Sequence, residues 1–338
     1  MSLNTIEEIA EFIVSDGKGI LAADESNPTC GKRFDSIGVD STEANRRDYR
    51  EMLFRSRGIQ DNIGGVILFD ETLRQKAQDG TPLVELIKNQ EALPGIKVDK
   101  GLVSFPNESS EESITQGLDG LDKRCKEYFS LGAKFTKWRA VIKISNDIPT
   151  DECIHANMEA LARYAKIVQN NNMVPMVEPE VLMDGDHSIE KCYEVTSKSL
   201  KELFKCLQDE DVNIRGTILK PNMVTSGSIA AHKAPIDQVA EMTVKCLKEN
   251  VPSELPGITF LSGGQSDLTA TAHLDAMNKI GSFPWKLSFS FGRALQQPSL
   301  KAWQGKKENV SLAQEALSHR ALMNKLAANG AWNKGLEQ

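Results

Sequence analysis

Eight short apolar runs alternate with amphipathic stretches along the 338-residue chain, and this alternation is the feature that most restricts its fold. The runs lie at residues 19–23, 65–69, 95–98, 135–138, 173–177, 216–219, 258–261 and 287–291. Their apolar character is continuous, which is typical of parallel strands covered on both faces.

One stretch between the runs has Ile154, Met158, Leu161, Ala165 and Val168 at spacings of four and three, which predicts a helix with one apolar face. Strands that alternate with helical crossovers form a parallel sheet. An open sheet could also hold eight strands, but eight repeats favour a closed (β/α)₈ barrel, the TIM barrel. We therefore expect a single α/β domain over residues 1–338, with a short C-terminal tail from about residue 330.

The composition excludes several classes of protein. Hydrophobic residues make up 40% and charged residues 26%, as in ordinary globular proteins, and the net charge of −7 argues against general binding to nucleic acid or anionic membranes. The six cysteines form no CxxC pair, which favours reduced thiols in a reducing compartment.

The start of the chain and its hydropathy bear on location. Glu7, Glu8 and Glu11 fall in the first helix-like stretch, where a signal or transit peptide would avoid acidic residues. No apolar stretch approaches the length that spans a membrane. We expect no membrane insertion and a cytoplasmic protein, with a plastid open if a transit peptide has been removed.

Polar residues come directly after nearly every apolar run. In order along the chain they are Asp24, Glu25, Ser26, Asp70, Glu71, Asp99, Lys100, Lys137, Arg139, Glu178, Glu180, Lys220, Asn222, Ser262, Ser266, Ser290 and Arg293. The carboxyl ends of the strands form the catalytic face of a TIM barrel. We therefore expect these groups to meet at one rim.

Three lysines are candidates for a nucleophile. Lys220 follows an apolar run and precedes a proline, so that burial of its stem would disfavour the ammonium form, and repulsion from Lys137 and Arg139 would add to this effect. A neutral amine is what Schiff-base formation with a ketone requires. The same reasoning fits Lys100 or Lys137, so residue chemistry alone leaves the choice open.

Three carboxylates accompany these lysines. Glu178 and Glu180 flank a proline, and strand alternation should aim them the same way. One could act as a base and a more buried one as an acid. The alternatives are a structural ion pair for these two, and a helix N-cap for Asp24.

Two glycine-containing segments follow the last two runs, where barrels usually bind phosphate. Ser262, Gly263 and Gly264 form one segment, and Ser290 with Gly292 and Arg293 forms the other. Glycine lets backbone N–H groups approach an anion, and a following helix N-terminus favours negative charge. A second basic cluster consists of Ser26, Lys32, Arg33 and Lys100. Two anion sites with a lysine between them suggest a bisphosphorylated sugar as substrate.

Metal and cofactor sites have little support. The five histidines show no HxxxH or HxH spacing, and Asp184, Asp186 and His187 are better interpreted as a polar turn than as ligands. There is no Walker motif, and no GxGxxG follows a strand. We expect no metal, no cofactor and no nucleic-acid partner.

The strand-end motifs resemble those of the class I fructose-bisphosphate aldolases, in order and over roughly the whole chain. They are GILAADES at 19–26, GIKVDKG at 95–101, KWR at 137–139, VEPE at 177–180, LKPNMV at 219–224, FLSGGQS at 260–266 and FSFGRAL at 289–295. The variant ESNPTCGKR at 25–33 looks closer to plant and algal members than to animal ones.

The resemblance implies reversible cleavage of fructose 1,6-bisphosphate to dihydroxyacetone phosphate and glyceraldehyde 3-phosphate, as in glycolysis and gluconeogenesis. It implies that Lys220 forms the Schiff base and that Glu178 is the main general acid/base. Asp24 and Lys137 would assist at carbon four, and Glu180 would tune the charge. The implied one-phosphate site comprises Ser262, Gly263, Gly264, Ser290, Gly292 and Arg293, and Ser26, Arg33 and Lys100 would surround the six-phosphate, with Arg139 also binding substrate.

The family's usual homotetramer is likewise an implication of the resemblance. Two rival functions stay open at this point: a transaldolase-type transferase acting on monophosphates, and a catalytically silent barrel that binds other proteins. Cytoskeletal partners of an active enzyme are not decidable from the sequence.

Family members commonly end in a flexible tail with a C-terminal tyrosine that assists enamine protonation, whereas this sequence ends in Gly335 to Gln338. We expect slow protonation of the enamine, which should accumulate during turnover. The rate of isotope exchange into dihydroxyacetone phosphate measures this step. A rate equal to that of tailed relatives would contradict the expectation.

Overall fold

Eight parallel strands close into a barrel in the computed structural model, which describes residues 3–106 and 111–337. The barrel strands are β1 Gly19–Ala23, β2 Ile63–Leu68, β3 Leu93–Lys97, β6 Phe135–Ile142, β7 Val174–Val181, β8 Ile218–Leu219, β9 Gly257–Phe260 and β10 Lys286–Phe291. They are neighbours in chain order, and β10 pairs with β1 to complete the circle. All eight predicted runs contain or overlap a barrel strand, and the predicted TIM barrel is confirmed.

Two features of the sheet were not predicted. β6 and β7 are each eight residues long and extend past the predicted apolar runs. The charged residues that follow those runs still form the backbone hydrogen bonds of the sheet. A two-stranded antiparallel hairpin, β4 Leu102–Ser104 with β5 Ser113–Thr115, lies between β3 and β6. The residues of β4 are exposed and the strand is short, so it has no apolar pattern long enough to recognise.

Helices surround the barrel. They are α1 Ile6–Ile13, α2 Asn27–Asp35, α3 Glu43–Phe54, α4 Gly58–Asn62, α5 Asp70–Arg74, α6 Leu83–Asn89, α7 Leu121–Ser130, α8 Asp151–Gln169, α9 Ile189–Asp209, α10 Ile236–Asn250, α11 Asp267–Lys279, α12 Arg293–Trp303 and α13 Val310–Ala328. The predicted amphipathic helix is α8, whose five stripe residues are all buried and whose N-cap is Thr150. Within the described ranges, no helix is long and apolar enough to cross a lipid bilayer.

The N-terminal helix α1 closes the end of the barrel at which the strands begin. Thr5 and Glu8 form a capping box that fixes the start of the helix. Its apolar face packs into a cluster with inward side chains of the strands, among them Phe135 at the start of β6. The interior of the barrel is therefore filled at this end, and the carboxyl ends of the strands are the face at which TIM barrels bind their substrates.

The C-terminal segment beyond α13 packs against the barrel's outer helices. The Trp332 backbone N–H donates to Asp275 of α11 at 3.0 Å, and the Trp332 indole donates to Glu337 at 2.8 Å. Glu337 also accepts from the Arg320 guanidinium of α13 at 2.5 Å. The contacts join this segment to α11 and α13.

Gly64 tests how closely α1 fits the barrel. A Cβ atom at this position would lie 2.2 Å from the Ile13 backbone oxygen, which a side-chain rotation cannot relieve. We expect Gly64→Ala to lower the free energy of unfolding by about 1–3 kcal/mol, as for other overpacked sites. Urea unfolding followed by circular dichroism measures the change.

Gly31→Ala, in helix α2, is the matched control. A Cβ atom at this position would contact only Ser41, at an ordinary distance of 3.6 Å. It should be neutral or stabilising by up to about 1 kcal/mol. Equal stability of the two variants would mean that the backbone of α1 does not pack as closely against Gly64 of β2 as described.

Candidate active site

A cavity of about 1010 Å³ opens at the carboxyl ends of the strands. All of the catalytic and substrate-binding residues implied by the family resemblance line it except Lys100: Asp24, Ser26, Arg33, Lys137, Arg139, Glu178, Glu180, Lys220, Ser262, Gly263, Gly264, Ser290, Gly292 and Arg293. Asn222 and Ser266, also expected at the rim, do not line it. Asp70 and Glu71, which follow β2, do not line it; they pair with Arg74 and Arg46 on the outer helices.

Strand alternation explains which side chains reach the cavity, because every second residue of a strand points into the barrel. In β6, Phe135 packs inside the barrel and Lys137, two residues later, lines the cavity. The same step leads from Met176 to Glu178 in β7. β6 and β7 thus each place an apolar residue in the packed layer and a charged residue just above it.

The floor of the cavity is a chain of four buried charged groups. The Lys220 Nζ atom lies 3.0 Å from Oε1 of Glu178, and the Lys137 Nζ atom lies 3.1 Å from Oε2 of the same carboxylate. Lys137 also contacts Asp24 Oδ2 at 3.0 Å. Burial strengthens these contacts, since little water is present to screen them.

The protonation states of this chain follow from its neighbours. Burial alone would raise the pKa of Glu178, but Lys137, Lys220 and Arg139 together hold it below its ordinary value. Burial likewise opposes the charge of Asp24, yet Lys137 and Lys220 hold its pKa well below the usual range. The pKa of Lys137 is raised despite burial, because Asp24 and Glu178 stabilise its ammonium form.

Carboxylates compensate the cations that we expected to repel Lys220. Arg139 forms an ion pair with Glu180, and Lys137 is shared between Asp24 and Glu178. Each added positive charge near Lys220 therefore comes with a negative one.

Two glycine-containing loops form the side of the cavity after β9 and β10. Gly263 and Gly264 have φ angles of 57° and 90°, which favour glycine, and α11 begins shortly after them. Gly292 is the N-cap of α12, and Arg293 is the first residue of that helix. The Ser290 hydroxyl is buried and has no partner within the described residues. Helix N-termini, a free hydroxyl and a guanidinium make this side suited to a phosphate.

The adjoining part of the cavity, after β1, carries hydroxyls and a second guanidinium. The Ser26 and Thr29 hydroxyls lie 3.0 Å apart at the start of α2, and Arg33 of the same helix pairs with Glu25. Their chemistry fits a second phosphate group.

The sequence reasoning nominated Lys100 and missed Lys97. Lys100 is exposed and does not line the cavity, whereas Lys97 and Asp99 do. Lys97 and Asp99 are two residues apart, so both side chains point into the barrel as β3 continues toward the cavity. Lys100 is one residue further along and points the other way. Strand alternation could have identified Lys97 from the sequence. In the structure it is the residue of β3 that pairs with Lys137 of β6.

A barrel with a buried lysine–carboxylate chain beside glycine-lined helix N-termini defines an enzyme acting on a phosphorylated carbonyl compound. The family model described as fructose-bisphosphate aldolase class-I matches residues 5–338. The chain belongs to the class I fructose-bisphosphate aldolase family, and it cleaves fructose 1,6-bisphosphate reversibly by the Schiff-base chemistry general to that class.

Individual relatives agree along their full length. The chain is 52% identical over 336 residues to a probable fructose-bisphosphate aldolase class 1 of Xanthomonas campestris, covering 98% of this chain and 99% of that protein. It is 54% identical over 324 residues to the cytosolic fructose-bisphosphate aldolase 6 of Arabidopsis thaliana, covering 96% and 90%. A solved structure of the Plasmodium falciparum aldolase, in complex with TRAP and a small-molecule inhibitor, superposes with a TM-score of 0.96 at 51% identity, covering 98% of this chain and 95% of that one.

Removal of the shared cation tests the buried chain of charges. We expect Lys137→Met to lower the free energy of unfolding by about 3–5 kcal/mol near neutral pH, because Asp24 and Glu178 lose their common partner. The folded-state pKa values of both carboxyls lie below their unfolded values. Their stabilisation is therefore present above the ordinary carboxyl pKa of about 4 and is lost as the pH falls.

The stability gap between the variant and the parent should accordingly stay constant from pH 7 to about pH 4 and narrow as the pH falls below that value, as measured by urea unfolding at fixed protein concentration. Lys126→Met is the matched control, because Lys126 pairs with Asp122 while 69% of its side chain is exposed. That control should cost less than about 1 kcal/mol. A gap for Lys137→Met that does not change with pH would contradict the assigned ionisation.

Proposed function

We propose that the aldol cleavage is carried out by Lys220 as the Schiff-base lysine and Glu178 as its proton carrier. The observation that supports these roles is the 3.0 Å contact between Lys220 Nζ and Glu178 Oε1 on the buried floor of the cavity. An ionised carboxylate at this distance can take the ammonium proton and return it within the same site.

Lys220 is favoured over the other two candidate lysines by its partners. Lys137 contacts two carboxylates, which hold its pKa above the ordinary value and keep it cationic. Lys100 lies on the exterior, away from the floor of the cavity. Lys220 has Glu178 as its only ion-pair partner within the described residues, so it can become neutral by a single proton transfer.

The first half of the reaction forms the iminium ion. Lys220 passes a proton to Glu178, and the neutral amine adds to the carbonyl carbon C2 of the substrate. The resulting carbinolamine then receives the Glu178 proton on its hydroxyl group, which leaves as water. Glu178 is again ionised, and the positive charge now rests on the Schiff-base nitrogen.

The second half breaks the bond between C3 and C4. Glu178 accepts the proton of the C4 hydroxyl, which Asp24 and Lys137 orient from the other end of the charge chain. The C3–C4 electrons move into the iminium to give an enamine, and glyceraldehyde 3-phosphate leaves. Protonation at C3 and addition of water then release dihydroxyacetone phosphate and free Lys220. Glu180, paired with Arg139, adjusts the charge around the lysines, and Arg139 faces the substrate at the cavity wall.

The two phosphates bind at two separate groups of residues around this floor. The one-phosphate lies at Ser262, Gly263, Gly264, Ser290, Gly292 and Arg293, where the unpartnered Ser290 hydroxyl supports the assignment. The six-phosphate lies at Ser26 and Arg33, together with Lys97. Lys97 takes the role for which the sequence nominated Lys100, since it lines the cavity and Lys100 does not.

We further propose a cytoplasmic homotetramer. The support is the family resemblance and the cytosolic name of the Arabidopsis thaliana relative. Light scattering on the eluted protein measures the mass of the assembly, and a value other than four chains would contradict this part of the proposal.

Borohydride trapping tests the assignment of the nucleophile. Incubation with dihydroxyacetone phosphate and borohydride, with EDTA throughout, should give one adduct per chain at Lys220. Intact mass and peptide mapping measure the adduct. Lys220→Met should give none and should lose activity, and Lys137→Met should lose most activity while Lys220 stays available for trapping.

An adduct at Lys137 or Lys100 would reassign the nucleophile. No adduct in folded protein would exclude the Schiff-base mechanism here. A Lys220→Met protein that keeps its circular-dichroism spectrum is the required control, because loss of a cation from a buried pair also destabilises the fold.

Lys97 and Lys100 form a matched pair for the six-phosphate site. We expect Lys97→Met to raise the KM for fructose 1,6-bisphosphate by roughly ten-fold or more, since a charge-assisted hydrogen bond contributes about 1.5–3 kcal/mol. Lys100→Met should change KM little, because its side chain is outside the cavity. Steady-state kinetics measures both, and the reverse result would restore Lys100 to the site.

A further inference from the structure

A group of three metal-ligating side chains lies on the outer helices, outside the catalytic cavity. His155 comes from α8, and Glu202 and Cys206 come from the neighbouring helix α9. One ligand atom from each lies within 4.8 Å of the others. None of the three lines the cavity.

The contacts within this group converge on one carboxylate oxygen. His155 Nδ1 lies 2.7 Å from Glu202 Oε1, and Cys206 Sγ lies 3.8 Å from the same oxygen. Glu202 and Cys206 are one helical turn apart, so their side chains lie on the same face of α9. Cys206 is 4% exposed, whereas 56% of the His155 side chain is accessible, so the group is open to solvent on the α8 side.

We propose that His155, Glu202 and Cys206 form a binding site for a borderline divalent transition ion, with Zn²⁺ as the best match. An imidazole, a thiolate and a carboxylate are the three ligand types that Zn²⁺ takes in proteins. Three protein ligands with an open side leave the fourth tetrahedral position to water. Mg²⁺ and Ca²⁺ prefer oxygen ligands alone and fit this donor set poorly.

Binding must remove a proton from Cys206. Burial and the nearby Glu202 raise the pKa of this thiol to about 11, so it is protonated in the free protein. The ion would displace that proton to solvent and neutralise the repulsion between the thiolate and Glu202. Lys205 competes for Glu202, since its Nζ atom lies 3.4 Å from the same oxygen, and it must move aside.

The site would join α8 to α9 without taking part in the Schiff-base chemistry. Histidine spacing along the sequence gave no indication of it, because the ligands come from two helices. Metal should therefore stabilise the fold, and its removal by EDTA should leave the aldolase reaction unchanged.

Titration of the full-length protein with Co²⁺, a spectroscopic substitute for Zn²⁺, tests the proposal. We expect one Co²⁺ per chain with a near-ultraviolet thiolate-to-metal charge-transfer band, and Zn²⁺ should abolish the band by competition. Cys206→Ser should remove the band, and Glu202→Gln should weaken binding. His155→Ala should raise the Kd for Co²⁺ by roughly ten-fold or more. Loss of a residue that only hydrogen-bonds to a metal ligand already lowers metal affinity by about ten-fold or more, and loss of a ligand should cost at least as much.

His232→Ala is the matched control, because His232 is an exposed histidine outside the group. It should bind Co²⁺ as the parent does. The variants of His155, Glu202 and Cys206 should all keep full aldolase activity in EDTA. Absence of a thiolate band in folded protein would overturn the proposal. Binding that survives both His155→Ala and Cys206→Ser would do the same, since it would identify a different and adventitious site.

Discussion

The active site depends on one chain of buried ion pairs, from Lys220 through Glu178 and Lys137 to Asp24. Four charges in a cavity floor are stable only because they alternate in sign at hydrogen-bond distance. The same alternation differentiates the two lysines. Two carboxylates fix Lys137 as a cation, whereas Lys220 has a single partner that can accept its proton.

The barrel makes this arrangement possible by ordering the side chains in layers. Residues such as Phe135 and Met176 fill the lower layer together with the apolar face of α1, and the next inward residues of the same strands are Lys137 and Glu178. The packed layer beneath the floor supports the charged groups, and their burial limits screening by solvent. The residues that stabilise the barrel and the residues that line the active site therefore lie in adjacent layers of the same strands.

The proposed phosphate recognition has a different physical source, the backbone at the ends of the last strands. Gly263 and Gly264 adopt left-handed φ angles, and the loops lead into α11 and α12. N–H groups at helix N-termini attract anions without a buried lysine at each contact. This division lets the protein keep its net negative charge and still bind a bisphosphorylated substrate.

The sequence by itself determined the eight strands, the helix α8, the barrel and nearly every candidate at its rim, because apolar periodicity and strand-end position are local properties. Residue chemistry alone left open which of Lys100, Lys137 and Lys220 is the nucleophile, and the family resemblance implied Lys220. Only the tertiary structure supplied the ion-pair partners, which join distant strands, whereas strand alternation could already have placed Lys97 in the cavity and Lys100 outside it. Partner choice depends on distances between segments far apart in the chain, and no sequence spacing encodes those distances.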